Sequence, residues 1–179
     1  HIFLPRQKEL ERYAGQAVLI QQQVLEHLLQ KAKDTEYGRY HLFGNINTYE
    51  EFVKNVPVNT YEELKDDIDR MRHGEEDVLW PGQIKMFARS SGTTNDKSKF
   101  IPLSNDGLQH IHYQGGKDVV TFYLRNNPSS KMFDGKGLIL GGSHAPNYNI
   151  SNSLVGDLSA ILIEFINPLA NLIRVPKKS

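Results

Sequence analysis

The sequence contains no cysteine, and its 21 acidic residues are balanced by 21 lysines and arginines. The lack of cysteine excludes disulfides, thiolate metal sites and a cysteine nucleophile. No block of like charge stands out, which argues against nucleic acid or an anionic membrane as a partner. The apolar segment at residues 154–172 contains Asp157, Glu164 and Pro168, so it is excluded as a membrane span. We therefore expect no nucleic-acid partner and no membrane partner, and a cytoplasmic location.

The length and composition are those of one globular domain. The chain has 179 residues, of which 39% are hydrophobic and 23% are charged. A chain of this size buries roughly 70% of the surface that its unfolded form exposes. Wholesale disorder is therefore excluded, and a single compact domain is expected.

Periodicity and capping signals predict four helices. Apolar residues at helical spacing indicate an amphipathic helix over residues 7–33. A threonine followed three residues later by glutamate is the capping box, in which each side chain satisfies a free N–H of the other residue. Two such boxes predict helices over residues 48–55 and 60–73. A fourth helix is expected over residues 105–125, capped by Ser104.

Three further expectations concern strands and the packing of apolar residues. Strands over residues 83–89 and 99–103 should flank a polar loop. Residues 137–142 are typical of a short buried strand, and residues 154–172 of a mostly buried helix broken near Pro168. Two adjacent glycines, Gly115 and Gly116, cost helix stability, so we expect them where the helix packs closely on another backbone.

The loop between the first two strands has the composition of a phosphate cradle. Four hydroxyl side chains within five residues, Ser90, Ser91, Thr93 and Thr94, surround Gly92. A polyphosphate requires hydrogen-bond donors without bulk, and a glycine loop with hydroxyls and a nearby lysine provides them. The loop lacks the spacing and the strand-to-helix context of the kinase and GTPase phosphate loop. The alternative is an ordinary hairpin turn, which the same residue types also favour.

Two segments of the sequence carry a resemblance to a known family. The first runs from Ser90 to Thr94 and continues with Lys99 and Ile101-Pro102. The second lies upstream and reads Val56-Pro57-Val58-Asn59-Thr60-Tyr61-Glu62-Glu63-Leu64-Lys65, continuing through Ile68, Arg70 and Gly74. Together they resemble the plant auxin-responsive acyl acid amido synthetases and their bacterial relatives, a branch of the adenylate-forming enzymes. Acyl-CoA ligases of the phenylacetate type carry a similar first segment, and the second segment favours the amido synthetases. The resemblance covers nearly the whole chain after Leu10.

The resemblance implies an α/β fold: the mixed-sheet part of the large N-terminal domain of an adenylate-forming enzyme, with packed helices. On this interpretation residues 1–179 are a single partial domain of a bacterial member, without the C-terminal part and its mobile cap. Such enzymes use ATP and Mg²⁺ to convert a carboxylic acid to an acyl-adenylate, and an amino acid then displaces AMP to form an amide.

The resemblance also implies roles for six residues of the loop. The side chains of Ser90, Ser91, Thr93 and Thr94 would donate to the phosphates, and Gly92 would allow their approach. Lys99 would act as the catalytic cation that neutralises phosphate charge. No side chain is predicted to bind the metal ion directly.

The sequence departs from the family pattern in two ways. Asp96 stands where the family usually has glycine, and a carboxylate there would repel a triphosphate unless a metal ion or Lys97 intervenes. The chain also has no Ser-Glu dipeptide, with which a later signature of the family ends, and Val155-Gly156-Asp157 imitates another signature by coincidence. We therefore expect the chain alone to be inactive. Two alternatives stay open: thioester formation as in acyl-CoA ligases, and a non-catalytic nucleotide- or protein-binding module.

Overall fold

The computed structural model of the chain describes residues 3–90, 98–167 and 172–176. The described helices are α1 (Leu4–Ala32), α2 (Glu36–Tyr40), α3 (Tyr49–Asn55), α4 (Tyr61–Arg72), α5 (Gln114–Asn126) and α6 (Leu158–Glu164). A 3-10 turn covers Phe43–Asn45, and a π-helix over Gly107–Tyr113 runs directly into α5. The described strands are β1 (Met86–Arg89), β2 (Phe100–Leu103), β3 (Gly137–Leu138), β4 (His144–Pro146), β5 (Leu154–Gly156) and β6 (Arg174–Val175).

The main sheet is mixed, and β1 is one of its inner strands. The strand order is β2-β1-β5-β4. Strand β1 pairs antiparallel with β2 and parallel with β5, and β4 pairs antiparallel with β5. Strands β3 and β6 form a separate parallel pair. The predicted α/β fold with a mixed sheet is confirmed.

Both faces of β1 are covered by helices. On one face Phe87 is fully buried and packs in a cluster that contains Met71 of α4. On the other face Met86 and Ala88 pack in a cluster that contains Ile161 of α6. Burial of one large apolar side chain contributes about 1.5–3 kcal/mol. The strand that leads into the predicted phosphate loop is therefore fixed from both sides.

Capping boxes begin α3 and α4, as the sequence predicts. The Thr48 hydroxyl accepts from the Glu51 N–H at 3.1 Å, and the Glu51 carboxylate accepts from the Thr48 N–H at 3.2 Å. At the start of α4 the Glu63 carboxylate accepts from the N–H of Thr60 at 2.6 Å and from its hydroxyl at 2.8 Å. The helices expected over residues 48–55 and 60–73 are confirmed within one residue at each end.

Two ion pairs fasten α1 to the helical segment that includes α5. Arg6 is 9% exposed, and its guanidinium contacts both carboxylate oxygens of Asp118, at 2.6 and 2.7 Å. Near the other end of α1, Lys31 lies 2.5 Å from Asp106. Helix α1 begins three residues before the predicted position 7, because Pro5 lies in the first turn, where its missing N–H costs nothing.

The expectation of one helix over residues 154–172 is wrong. Residues Leu154–Gly156 form β5, which runs parallel to β1, and only Leu158–Glu164 is α-helical in the described part of that segment. Asp157 separates the two elements with an extended backbone, φ −66° and ψ 137°. A short apolar run fits a buried parallel strand and a buried helix equally well, so the pattern alone did not separate them.

Two smaller expectations are also wrong. The strand predicted over residues 137–142 is limited to Gly137–Leu138, and it is exposed instead of buried. The glycines 115 and 116 are exposed, and a Cβ added to either would meet nothing within 4 Å. They therefore do not mark a close approach between α5 and another backbone.

Within the described residues, none of the helices combines the length and the apolar content that crossing a bilayer requires.

Candidate phosphate-binding site

The two ends of the predicted phosphate loop are joined by a pair of hydrogen bonds. The Ser90 N–H donates to the carbonyl oxygen of Lys99 at 2.9 Å. The Lys99 N–H donates to the hydroxyl oxygen of Ser90 at 3.0 Å. This pair continues the antiparallel register of β1 and β2, in which Arg89 lies opposite Phe100. The predicted arrangement, a loop that joins two strands, is confirmed, with strands at Met86–Arg89 and Phe100–Leu103.

Four of the six predicted site residues lie outside the described part of the chain. These are Ser91, Gly92, Thr93 and Thr94, and Asp96 lies outside it as well. Ser90 and Lys99 are described, and the structure brings them together at the two ends of the loop. The proposed contacts of all six residues with phosphate stay predictions.

The ammonium group of Lys99 is available to a ligand. The residue is exposed, and its Nζ lies 5.1 Å from the ring centroid of Tyr61. No carboxylate among residues 3–90, 98–167 and 172–176 lies within ion-pair distance of this Nζ. Arg89, at the end of β1, is likewise exposed and without an ion pair in the described residues. Two cations therefore lie beside the loop without a described counter-charge.

Helix α4 packs against the chain as it leaves the loop. The Tyr61 hydroxyl oxygen accepts from the Phe100 N–H at 3.0 Å. At the other end of the helix, the Arg72 guanidinium carbon lies 3.7 Å from the ring centroid of Phe100. Sequence reasoning missed both contacts. The available signal was the position of Tyr61 in the upstream segment that resembles the same family as the loop.

A second group of residues lies at the same end of the strands as Ser90. Strands β1 and β5 are parallel, with Ala88 opposite Gly156. Asp157 therefore follows the carboxyl end of β5, just as the segment of Ser90 follows the carboxyl end of β1. Ligands of α/β folds bind at the carboxyl ends of parallel strands. The Asp157 carboxylate accepts from the Ser143 N–H at 2.9 Å, and the Asp157 N–H donates to the Ser143 carbonyl at 2.8 Å.

Two glycines allow the chain to pass this closely. A Cβ at Gly142 would lie 2.0 Å from the Asp157 carboxylate, and a Cβ at Gly156 would lie 2.4 Å from the carbonyl oxygen of Ser143. His144, which lies opposite Gly156, places its Nε2 3.8 Å from a carboxylate oxygen of Glu164. Residues 142–144 are thus packed against the end of β5, which is the strand next to β1.

The described residues hold no cluster suited to a metal ion, and a cavity along α4 does not suit phosphate. No group of three or more histidine, aspartate or glutamate side chains within the described ranges is arranged to hold a metal ion. A large open cavity of about 590 Å³ lies along the far part of α4, where Asp66, Asp69, Arg70, His73, Gly74 and Glu75 line it. Its carboxylates make it unsuitable for phosphate, because like charges repel.

Comparison with known proteins places these features in a family context. The profile described as the GH3 family N-terminal domain matches residues 6–168. The chain is similar to an indole-3-acetic acid-amido synthetase, GH3.15, of Arabidopsis thaliana. The two are 41% identical over 91 residues, which are 50% of this chain and 15% of the relative. It is also 32% identical to the jasmonoyl-L-amino acid synthetase JAR6 of Nicotiana attenuata, over 78% of this chain and 26% of the relative.

The fold is shared with a solved structure of a GH3.15 acyl acid amido synthetase. The TM-score is 0.67 at 25% identity, over 87% of this chain and 27% of the solved chain. The matched part of the chain therefore spans about a quarter of the length of the solved relative and of JAR6. It spans 15% of the Arabidopsis synthetase.

Proposed function

Because the chain belongs to the GH3 family, we propose that the protein carrying it activates a carboxylic acid with ATP and joins the acyl group to an amino acid. In the first step a carboxylate oxygen attacks the α-phosphorus of ATP, and pyrophosphate leaves. In the second step the amine attacks the acyl carbon, AMP leaves, and the amine loses a proton. Residues 1–179 form part of the adenylating domain in this proposal.

The names of the relatives support this reaction class. They include an indole-3-acetic acid-amido synthetase, a jasmonoyl-L-amino acid synthetase and a 4-substituted benzoates-glutamate ligase. A free carboxylate is a poor acyl donor, and joining it to AMP creates a good leaving group. We therefore propose a small-molecule carboxylic acid and an amino acid as the substrates.

The observation that carries the proposal is the closed hairpin between Ser90 and Lys99. It holds a hydroxyl-rich loop between two residues whose positions are fixed by β1 and β2. Lys99 suits a triphosphate ligand in its charge, because its ammonium group is exposed and has no counter-charge among the described residues. In this proposal Lys99 neutralises phosphate charge, and Ser90 with Ser91, Thr93 and Thr94 donates hydrogen bonds.

Mg²⁺ is the second proposed cofactor, and when bound it supplies further charge neutralisation on the phosphates. We propose that phosphate oxygens supply some of its ligands, since Mg²⁺ in nucleotide sites is commonly bound through substrate phosphates. The role of Lys99 does not depend on it, because the ammonium group carries its own positive charge.

The experiment is product analysis of the protein that carries this chain, incubated with ATP, Mg²⁺, amino acids and a panel of carboxylic acids. The panel includes indole-3-acetate, jasmonate and benzoates, and a parallel set contains coenzyme A in place of amino acids. We expect an amide and an equal amount of AMP by mass spectrometry. A thioester without amide would assign the protein to thioester-forming ligases, and no acyl product with any acid would favour a binding module.

Two expectations about the cell rest on the sequence alone and belong to the same proposal. They are a bacterial source and a cytoplasmic location. We also propose that neither nucleic acid nor a membrane is a partner, since the 21 acidic and 21 basic residues leave no net charge and no charged block.

A further inference from the structure

The pentapeptide Asn-Thr-Tyr-Glu-Glu occurs twice, at residues 47–51 and 59–63. Each copy begins a helix through the same threonine and glutamate pair, and the tyrosine is the first helical residue of α3 and of α4. The two tyrosines nevertheless have different surroundings. Tyr49 is 64% exposed, whereas Tyr61 is partly buried. Since the local sequence is identical, the difference in exposure arises from the distant residues that Tyr61 contacts in the fold.

Tyr61 contacts Lys99 and Phe100, the residues that follow the predicted phosphate loop. Strand β2 is at the edge of the described sheet, so the Phe100 N–H that points away from β1 has no strand to accept it. The Tyr61 hydroxyl oxygen accepts this hydrogen bond at 3.0 Å. The ring of the same tyrosine lies 5.1 Å from the Nζ of Lys99. One side chain thus contacts the backbone of one residue and the charged group of the residue before it.

We propose that Tyr61 is a positioning residue for Lys99. The hydrogen bond to Phe100 fixes the backbone immediately after the lysine. The ring face attracts the ammonium group and limits the directions that it samples before a phosphate arrives. The inference rests on the proposed function, in which the Lys99 ammonium neutralises phosphate charge.

Conservative variants of Tyr61 can distinguish the effect of its hydrogen bond to Phe100 from the effect of its ring on Lys99. Tyr61→Phe keeps the ring beneath the ammonium and removes only the acceptor for the Phe100 N–H. Tyr61→Leu removes both. Arg72 still covers the Phe100 ring in either variant, because its guanidinium carbon lies 3.7 Å from that ring centroid. The strand therefore keeps one anchor on α4, and the variants are expected to fold.

The test is a double-mutant cycle between Tyr61 and Lys99, measured by carboxylate-dependent exchange of pyrophosphate into ATP by the protein that carries this chain. Loss of the ring contact and the hydrogen bond should reduce kcat/KM for ATP roughly five- to twentyfold in Tyr61→Leu. The reduction should be smaller in Tyr61→Phe. In a Lys99→Ala background the same Tyr61→Leu change should alter kcat/KM less than about twofold, because the group that it positions is gone.

The matched control is Tyr49→Leu, which removes the same residue from the same pentapeptide and should leave kcat/KM unchanged. Amide hydrogen exchange supplies a readout without activity, since the Phe100 N–H should exchange faster in Tyr61→Phe than in the unmodified chain. Equal losses from Tyr61→Leu in both backgrounds would show a merely structural role and overturn the inference, as would no loss at all. If the single substitution Lys99→Ala left kcat/KM unchanged, that result would instead refute the phosphate role of Lys99 in the proposed function.

Discussion

Ser90 and Lys99 hold each other across the open end of the β1–β2 hairpin. The main chain of Ser90 donates to Lys99 at 2.9 Å, and the main chain of Lys99 donates to the Ser90 side chain at 3.0 Å. The serine hydroxyl therefore serves as the acceptor where a regular ladder would use a carbonyl. This closure fixes the distance between the two ends of the loop, and it ties the position of Lys99 to a strand that is buried on both faces.

Removing the charge of Lys99 should impair adenylation without affecting folding. A hydrogen bond to a charged group is worth about 1.5–3 kcal/mol, so Lys99→Ala should lower kcat/KM for ATP on the order of ten- to a hundredfold. The measurement is carboxylate-dependent pyrophosphate exchange. Lys54→Ala, which changes an exposed lysine on α3, is the matched control. A Lys99→Ala protein that retains its kcat/KM within about twofold would contradict the assigned role.

The substitution Asp96→Gly restores the residue that the family usually has, and it should leave the exchange rate unchanged or raise it. The reason is that a carboxylate beside a triphosphate repels it. The rate is measured as a function of Mg²⁺ concentration. A lower rate together with a higher requirement for Mg²⁺ would instead assign Asp96 to the metal ion.

Two glycine-to-alanine changes should have opposite effects on stability. In Gly156→Ala the new Cβ would lie 2.4 Å from the Cα of His144, so β4 must move away from β5, at a cost of about 1–3 kcal/mol. In Gly115→Ala the Cβ meets nothing within 4 Å, and the helix gains about 0.5–1 kcal/mol. Urea unfolding of both variants decides the matter. Equal shifts in the two midpoints would show that Gly156 does not mark a close approach.

The ion pair between Arg6 and Asp118 should make stability depend on pH on the acid side. The hydrogen bonds from the Arg6 guanidinium hold the pKa of the Asp118 carboxyl below its ordinary value. A lowered folded-state pKa stabilises the fold above the unfolded pKa of about 4, and this contribution is lost as the pH falls through the folded value.

The variant Asp118→Asn isolates this contribution. It should lower the free energy of unfolding at pH 7 by about 1.5–3 kcal/mol. The difference from the unmodified chain should shrink when urea unfolding is repeated near pH 3. Glu26→Gln, at an exposed carboxylate of α1, is the control and should change little at either pH. A difference for Asp118→Asn that is the same at both pH values would contradict the account.

Local signals in the sequence predicted the elements that local chemistry determines. The helices that begin at Tyr49 and Tyr61 follow from a threonine and a glutamate three residues apart, a contact made within one turn. Strands β1 and β2 follow from weak alternation before a glycine loop and a short apolar run after it. The hydroxyl-rich loop and Lys99 were recognised because they are adjacent in the sequence.

Features that depend on distant segments could not be predicted in this way. Leu154–Gly156 is a strand because it pairs with β1, about 65 residues earlier in the chain, in parallel orientation. The residues next to it in the sequence give no signal of this pairing. The contact between Tyr61 and Phe100 spans 39 residues, and within the described chain Tyr49 of the identical pentapeptide makes no such contact. The packing of Asp157 against Ser143 likewise requires two strands to be placed side by side before it exists.

The central claim is that this chain contributes the phosphate loop of an enzyme that forms acyl-adenylates. Pyrophosphate exchange tests it most directly, with the protein that carries the chain, ATP, Mg²⁺ and labelled pyrophosphate, and with one carboxylic acid added at a time. We predict that label enters ATP only when a suitable acid is present, and that Lys99→Ala depresses this exchange at least tenfold relative to Lys54→Ala, by about the loss of one charged hydrogen bond. Exchange that proceeds without any acid, or no exchange with every acid of the panel, would contradict the claim.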